Sequence, residues 1–125
     1  MVKKLFQRRI NEILDKFKDK SIILSSDNAN FFGQQSRKST QVRGNGVLIL
    51  SAEDLYFEMW IPKKILQIPI SSVLNIEITK SFLHKSAFRK LLKVVFTNQE
   101  GEEDAAAWWV TSLDKWTKEL EKVKI

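Results

Sequence analysis

The chain has 125 residues, 43% of them apolar and 29% charged, which fits one soluble globular domain and excludes the low-hydrophobicity regime of disorder. It contains no cysteine and one histidine, His84, so disulfides, cysteine nucleophiles and polyhistidine metal sites are excluded. The net charge of +6 is uneven, at +4 over residues 1–20, −1 over 21–60, +6 over 61–97 and −3 over 98–125, an asymmetry that steers anionic partners.

Residues 2–20 place Val2, Phe6, Ile10, Ile13, Leu14 and Phe17 on one side at helical spacing, flanked by Lys and Arg, which predicts an N-terminal amphipathic helix over 1–20. SIILSS (21–26) is a short β-like run. DNANFFGQQSRKSTQVRGNG (27–46) has the composition of turns and a mobile loop. Period-two alternation then sets in. VLILS (47–51) is a strand and SAED a turn. LYFEMWI (55–61) sets Leu55, Phe57, Met59 and Ile61 against Tyr56, Glu58 and Trp60. ILQIPI (65–70) reads as an edge strand, because Pro69 cannot donate to a ladder. VLNIEIT (73–79) points Leu74, Ile76 and Ile78 inward.

KSFLHKSAFRK (80–90) reads as an insertion before the strand LLKVVFT (91–97). The turn NQEGEE, centred near Gly101, then leads into DAAAWWV (104–110). TSLDKWTKELEKV closes the chain as a helix with Leu113, Trp116, Leu120 and Val123 in one stripe. There is no internal repeat. The domain is expected over 21–125, with the N-terminal helix as an addition.

Short antiparallel strands followed by an amphipathic, tryptophan-bearing helix, with Gly46, Leu48, Leu50, Leu55, Phe57, Ile68, Pro69 and Ile70 at key positions, make residues 21–124 similar to the GRAM and bacterial pleckstrin-homology-like domains. Ser51 stands where threonine is usual. The resemblance implies a mainly β fold, a PH-like barrel of about seven antiparallel strands capped by a C-terminal helix, with Trp116 plugging its open end. It also implies a noncatalytic binding role with no cofactor.

Phosphoinositide-binding members of that family use closely spaced bases in the loop between the first two strands, where this chain offers Arg37, Lys38 and Arg43. A second candidate surface is 81–90, where Phe82 and Phe88 accompany Lys85, Arg89 and Lys90, a mixture suited to the interface of an anionic lipid surface. The adjacent Trp108 and Trp109 must face opposite ways in a strand. The outward one can join Tyr56 and Trp60 in an aromatic patch, which would seat either the N-terminal helix or a protein partner such as a second copy.

The run Glu100, Glu102, Glu103 and Asp104 reads as a solvated hairpin tip, and scattered acids offer no paired carboxylates. No catalytic residue and no metal site is expected. Nucleic acid is disfavoured, because no RNA-binding motif is present and the bases do not cluster on one strand. The partner is expected to be an anionic membrane surface or another protein. No apolar run approaches the ~18 residues of a membrane span, and the N-terminus lacks signal and lipidation motifs, so the expected location is cytoplasmic with peripheral membrane contact.

Overall fold

Alternating apolar residues give most of the chain two-faced strands, and the computed structural model assembles them into one antiparallel sheet. It describes residues 7–19, 21–36, 44–61, 63–82 and 85–124, with the side chains of 85–88 left out of that description. Helix α1 (Gln7–Asp15) precedes β1 (Ile22–Gln34), β2 (Gly44–Ser51), β3 (Asp54–Met59) and β4 (Ile65–Pro69). A short 3-10 turn, Ile70–Ser72, leads to β5 (Val73–Phe82), β6 (Lys85–Thr97), β7 (Glu103–Trp109) and the closing helix α2 (Leu113–Lys124). The strand order is β4-β3-β2-β1-β7-β6-β5, so β4 and β5 form the two edges of an open sheet. Pro69 ends edge strand β4, as a residue without a backbone donor should.

One face of the sheet carries the main core. Phe31, Leu48, Leu50, Leu55, Phe57, Met59, Leu92, Val94, Phe96 and Trp108 converge there, and α2 covers them with Trp116 and Leu120. Leu113 and Val123 pack at its margin, so the helical stripe read from the sequence is the buried one. Asp114 in the first turn of α2, and Lys122 and Lys124 in the last, match the sign of the helix dipole. Phe31, Phe57 and Trp108 form a mutual ring cluster with centroids 5.0 to 5.9 Å apart.

Strand β1 is longer than the sequence pattern indicated. Residues 27–34, expected in a loop, belong to it. Register shifts interrupt its pairing with β2 between Ile22 and Leu24 and between Ser26 and Ala29, and its pairing with β7 between Phe31 and Gly33. Each bulge exchanges the faces of the residues beyond it. Gly33 has φ 124°, a conformation that favours glycine. The insertion expected at 80–90 is likewise built into two strands: β5 runs to Phe82 and β6 starts at Lys85, with Phe82 paired to Lys85.

Four side chains depart from the expected pattern. Leu74 falls in a register shift of β5 and is 48% exposed, while Ile78, although level with core residue Leu92, is 49% exposed on the edge strand. Ile61 lies beyond the end of β3 and is exposed. Asp104 is no part of a solvated tip. It is buried at the start of β7 and accepts hydrogen bonds from the Gln34 side chain and from the backbone N–H groups of Ser36 and Ala105. Burial alone would raise the Asp104 pKa, but these bonds outweigh it and hold the carboxyl below the ordinary aspartate value. The hairpin turn itself forms as expected, with Asn98 Oδ1 accepting from the N–H groups of Glu100 and Glu102 and Gly101 at φ 80°.

Truncating Trp116 to alanine removes a large buried ring and should destabilise the fold by about 3–5 kcal/mol. A thermal midpoint unchanged in Trp116→Ala would show that α2 does not close the core. Gly46→Ala should also lower the midpoint, because a Cβ there would lie 2.5 Å from the Glu58 carbonyl oxygen and 2.7 Å from the Phe57 ring. The matching measurement is thermal unfolding of Gly46→Ala, and wild-type behaviour would contradict this close packing of β2 on β3.

Candidate functional site

The opposite, outer face of the sheet is also apolar, in two separate clusters. On β2, β3 and the residue after β3, Val47, Ile49, Tyr56 and Trp60 are covered by Ile10, Ile13 and Phe17 from α1 and the turn after it, with Leu14 at the margin. On β6 and β7, Leu91, Val95, Ala105 and Ala107 pack with Phe82, Phe32 and Trp109.

Glu58 sits within the first cluster and is fully buried. Its carboxylate is enclosed by donors. The Tyr56 hydroxyl and the Lys16 ammonium, the latter at 2.9 Å, donate to Oε1, and the Arg9 guanidinium donates to Oε2. Arg9 and Lys16 are seven residues apart, about two helical turns, and flank Ile10 and Ile13. The helix therefore docks through an apolar stripe and an ion-paired one side by side. Burial alone would raise the Glu58 pKa, but the hydrogen bonds from Tyr56, Lys16 and Arg9, with Arg9's charge, hold it below the ordinary value. Burial, and then the hydrogen bond and charge of Glu58, push the Tyr56 phenol in the other direction, well above its ordinary value.

Tyr56 and Trp60 are thus 8% and 6% exposed beneath the chain's own helix. Of the two uses expected for the patch, the described residues show the first: it seats the chain's own N-terminal helix. Trp109, which could have joined them, belongs to the second cluster instead.

Between the two clusters lies a groove of about 260 Å³, lined by Asn28, Asn30, Phe32, Asn45, Arg89 and Trp109. The sheet register builds it. Asn30 of β1 pairs with Asn45 of β2 on one side and Trp109 of β7 on the other, so three neighbouring strands set these side chains in a row. Asn28 and Phe32 lie one strand repeat to either side of Asn30. Arg89 reaches across from β6 with its guanidinium 4.8 Å from the Trp109 ring centroid. Arg89, Asn28 and Asn30 are exposed and Asn45 is half-buried; among the described residues Arg89 has no carboxylate partner, and the three carboxamides have no side-chain hydrogen bond.

The structure describes only some of the residues singled out from sequence. Arg37, Lys38 and Arg43 lie outside the described residues, as do the side chains of Lys85 and Phe88. Phe82 is buried in the second outer cluster, which removes it from the role of a membrane-inserting ring. Lys90 is exposed. Among the described ones, Arg89 lines the groove. Its companions Asn28, Asn30, Phe32, Asn45 and Trp109 were not gathered from the sequence into one site, although NANFF alternates polar and apolar residues over Asn28 to Phe31 in the manner of a strand.

Among the described residues no cluster of three or more His, Asp or Glu side chains could hold a metal ion, and no helix is long and apolar enough to cross a membrane. No protein-family profile and no curated protein matches the chain. Solved structures do. A chain of the 8S snRNP assembly intermediate superposes with a TM-score of 0.65 at 11% identity, covering 82% of this chain and 81% of that one. The C-terminal domain of an unknown protein from Leishmania infantum superposes with a TM-score of 0.59 at 13% identity, covering 99% and 98%. At such identities the likeness is one of fold.

Replacing Glu58 with glutamine removes the charge that Arg9 and Lys16 pair with and should destabilise the protein by about 1–3 kcal/mol at neutral pH. A carboxyl whose native pKa is depressed stabilises the fold above its unfolded value of about 4.3 and loses that contribution as pH falls through the native value. The difference between wild type and Glu58→Gln should therefore shrink as the pH is lowered below about 4.3. Denaturant titrations across that range read this out, and a difference independent of pH would contradict the role of the charge.

Proposed function

We propose that the chain is a noncatalytic binding module of the GRAM or pleckstrin-homology-like kind, a PH-like barrel with an added N-terminal helix, that takes an anionic ligand on the outer face of its sheet. The observation that carries this reading is Arg89, a guanidinium set over the face of Trp109 at the mouth of a groove, with no acid of its own among the described residues. Arginine so placed keeps its N–H edges available to a carboxylate or phosphate.

An anionic lipid surface is the partner best matched to the surrounding charge. Arg89 belongs to residues 61–97, the segment that holds most of the net positive charge, in which Lys80 and Lys90 are also exposed. Each base held near such a surface contributes on the order of 1 kcal/mol. Attraction through these bases is electrostatic, and Phe82, buried in the second outer cluster, adds no insertion to it.

A second reading, association with another protein, is favoured by the sheet edges. Among the described residues β4 and β5 are unpaired on their outer sides, and Ile65, Leu74 and Ile78 are each about half exposed on them.

Co-sedimentation with neutral and anionic vesicles at low and physiological salt tests the first reading. Wild type should bind anionic vesicles in a salt-sensitive manner, and the double variant Arg89→Glu, Lys90→Glu should lose that binding. Absence of vesicle binding, together with a dimer by light scattering, would overturn it in favour of the second.

A further inference from the structure

We propose that the groove between β1, β2, β7 and Arg89 is a specific site for a single polyhydroxylated ring bearing one anionic group, a sugar carrying a carboxylate or a phosphate. This rests on the anionic-ligand reading and goes further, because it assigns the groove's neutral side chains a task that charge attraction does not need.

Size sets the first limit. A volume of about 260 Å³ lies below the ~300–1,000 Å³ of sites for drug-sized ligands, so it suits one ring. Chemistry sets the second. Each of the three carboxamides offers an acceptor oxygen and two N–H donors, and vicinal ring hydroxyls are partners that both donate and accept. An apolar ligand would cover these amides without satisfying them, at a cost of about 1–3 kcal/mol for each group left buried and unpaired. A bare inorganic anion would engage Arg89 alone.

The geometry orders these contacts. Asn45, Asn30 and Trp109 stand side by side on adjacent strands about 4.8 Å apart, so the row is about 10 Å long, the span of one substituted ring. Arg89 lies at the Trp109 end, which places the anionic substituent there and the hydroxyls over the asparagines. The edges of Phe32 and Trp109 supply apolar contact for the C–H face of the ring. No acid lines the groove to repel the ligand's charge.

The test uses the full chain and two-dimensional NMR of the side-chain amide and indole signals, titrated with glucuronate and with a glucose monophosphate. Glucose, acetate and inorganic phosphate serve as controls. At least one charged sugar should shift the Asn28, Asn30 and Asn45 carboxamide signals and the Trp109 indole signal, and should bind at least about tenfold more tightly than every control. Asn30→Ala with Asn45→Ala should weaken that sugar by about tenfold or more while leaving binding to phosphatidylserine vesicles unchanged. Arg89→Gln should weaken both.

Vesicles displaying a uronic acid headgroup then separate the two sources of the ligand. Tighter binding to them than to phosphatidylserine vesicles of equal charge supports a lipid headgroup, and binding confined to the soluble sugars supports a free one. If the charged sugars bind no better than acetate and phosphate, the ring proposal fails while the anionic reading stands. If no anion shifts the groove signals and no vesicle binds, both fail.

Discussion

A single sheet with apolar residues on both faces must be covered on both, and this constraint organises the rest of the molecule. Helix α2 meets it on the inner face by inserting Trp116 and Leu120 among the ring cluster of Phe31, Phe57 and Trp108. On the outer face, α1 covers Val47, Ile49, Tyr56 and Trp60, and the cover is directed by a charge. A carboxylate inside an apolar patch is unfavourable unless its oxygens are satisfied, and only a segment bringing cations at the right spacing can satisfy Glu58. Apolar contact covers the patch, and the ion pairs of Glu58 with Arg9 and Lys16 satisfy the charge buried beside it.

Where local periodicity and tertiary role coincide, the sequence was readable. The stripe of α2, the two faces of LYFEMW, the Gly101 hairpin and the edge position of Pro69 all arise from patterns of a few residues. Long-range compensation was not readable. Asp104 resembles its acidic neighbours until Gln34 and Ser36, some 70 residues earlier, are seen to hold it. β1 was hidden for another reason: three register shifts break its alternation, so the period-two signal that marks a strand is repeatedly reset. The cost fell on the candidate site, because the asparagines lining the groove sit in that strand or opposite it.

Arg89 was visible as one base among several in a basic segment, but its value comes from its surroundings. The guanidinium lies over the Trp109 ring, and the strand register brings Asn30 and Asn45 alongside. Phe82 illustrates the reverse. Its setting between cations suggests an interfacial anchor, yet Phe82, at the end of β5, packs into the second outer cluster. Two aromatic-and-cation pairings that look equivalent in one dimension serve opposite purposes in three.

The irregularity at Phe31 to Gly33 also determines how the molecule can tolerate change in length. Because one additional residue there exchanges the faces of the residues beyond it, Phe32 lines the outer groove whereas Gln34 turns to the inner side and reaches Asp104. Removing a single residue at that point would set the end of β1 back into uniform alternation and carry the Gln34 side chain away from Asp104. An insertion or deletion at this position is thus equivalent to a simultaneous change of groove lining and core anchor, and the short stretch from Phe31 to Gln34 couples the two sides of the sheet through residue count alone.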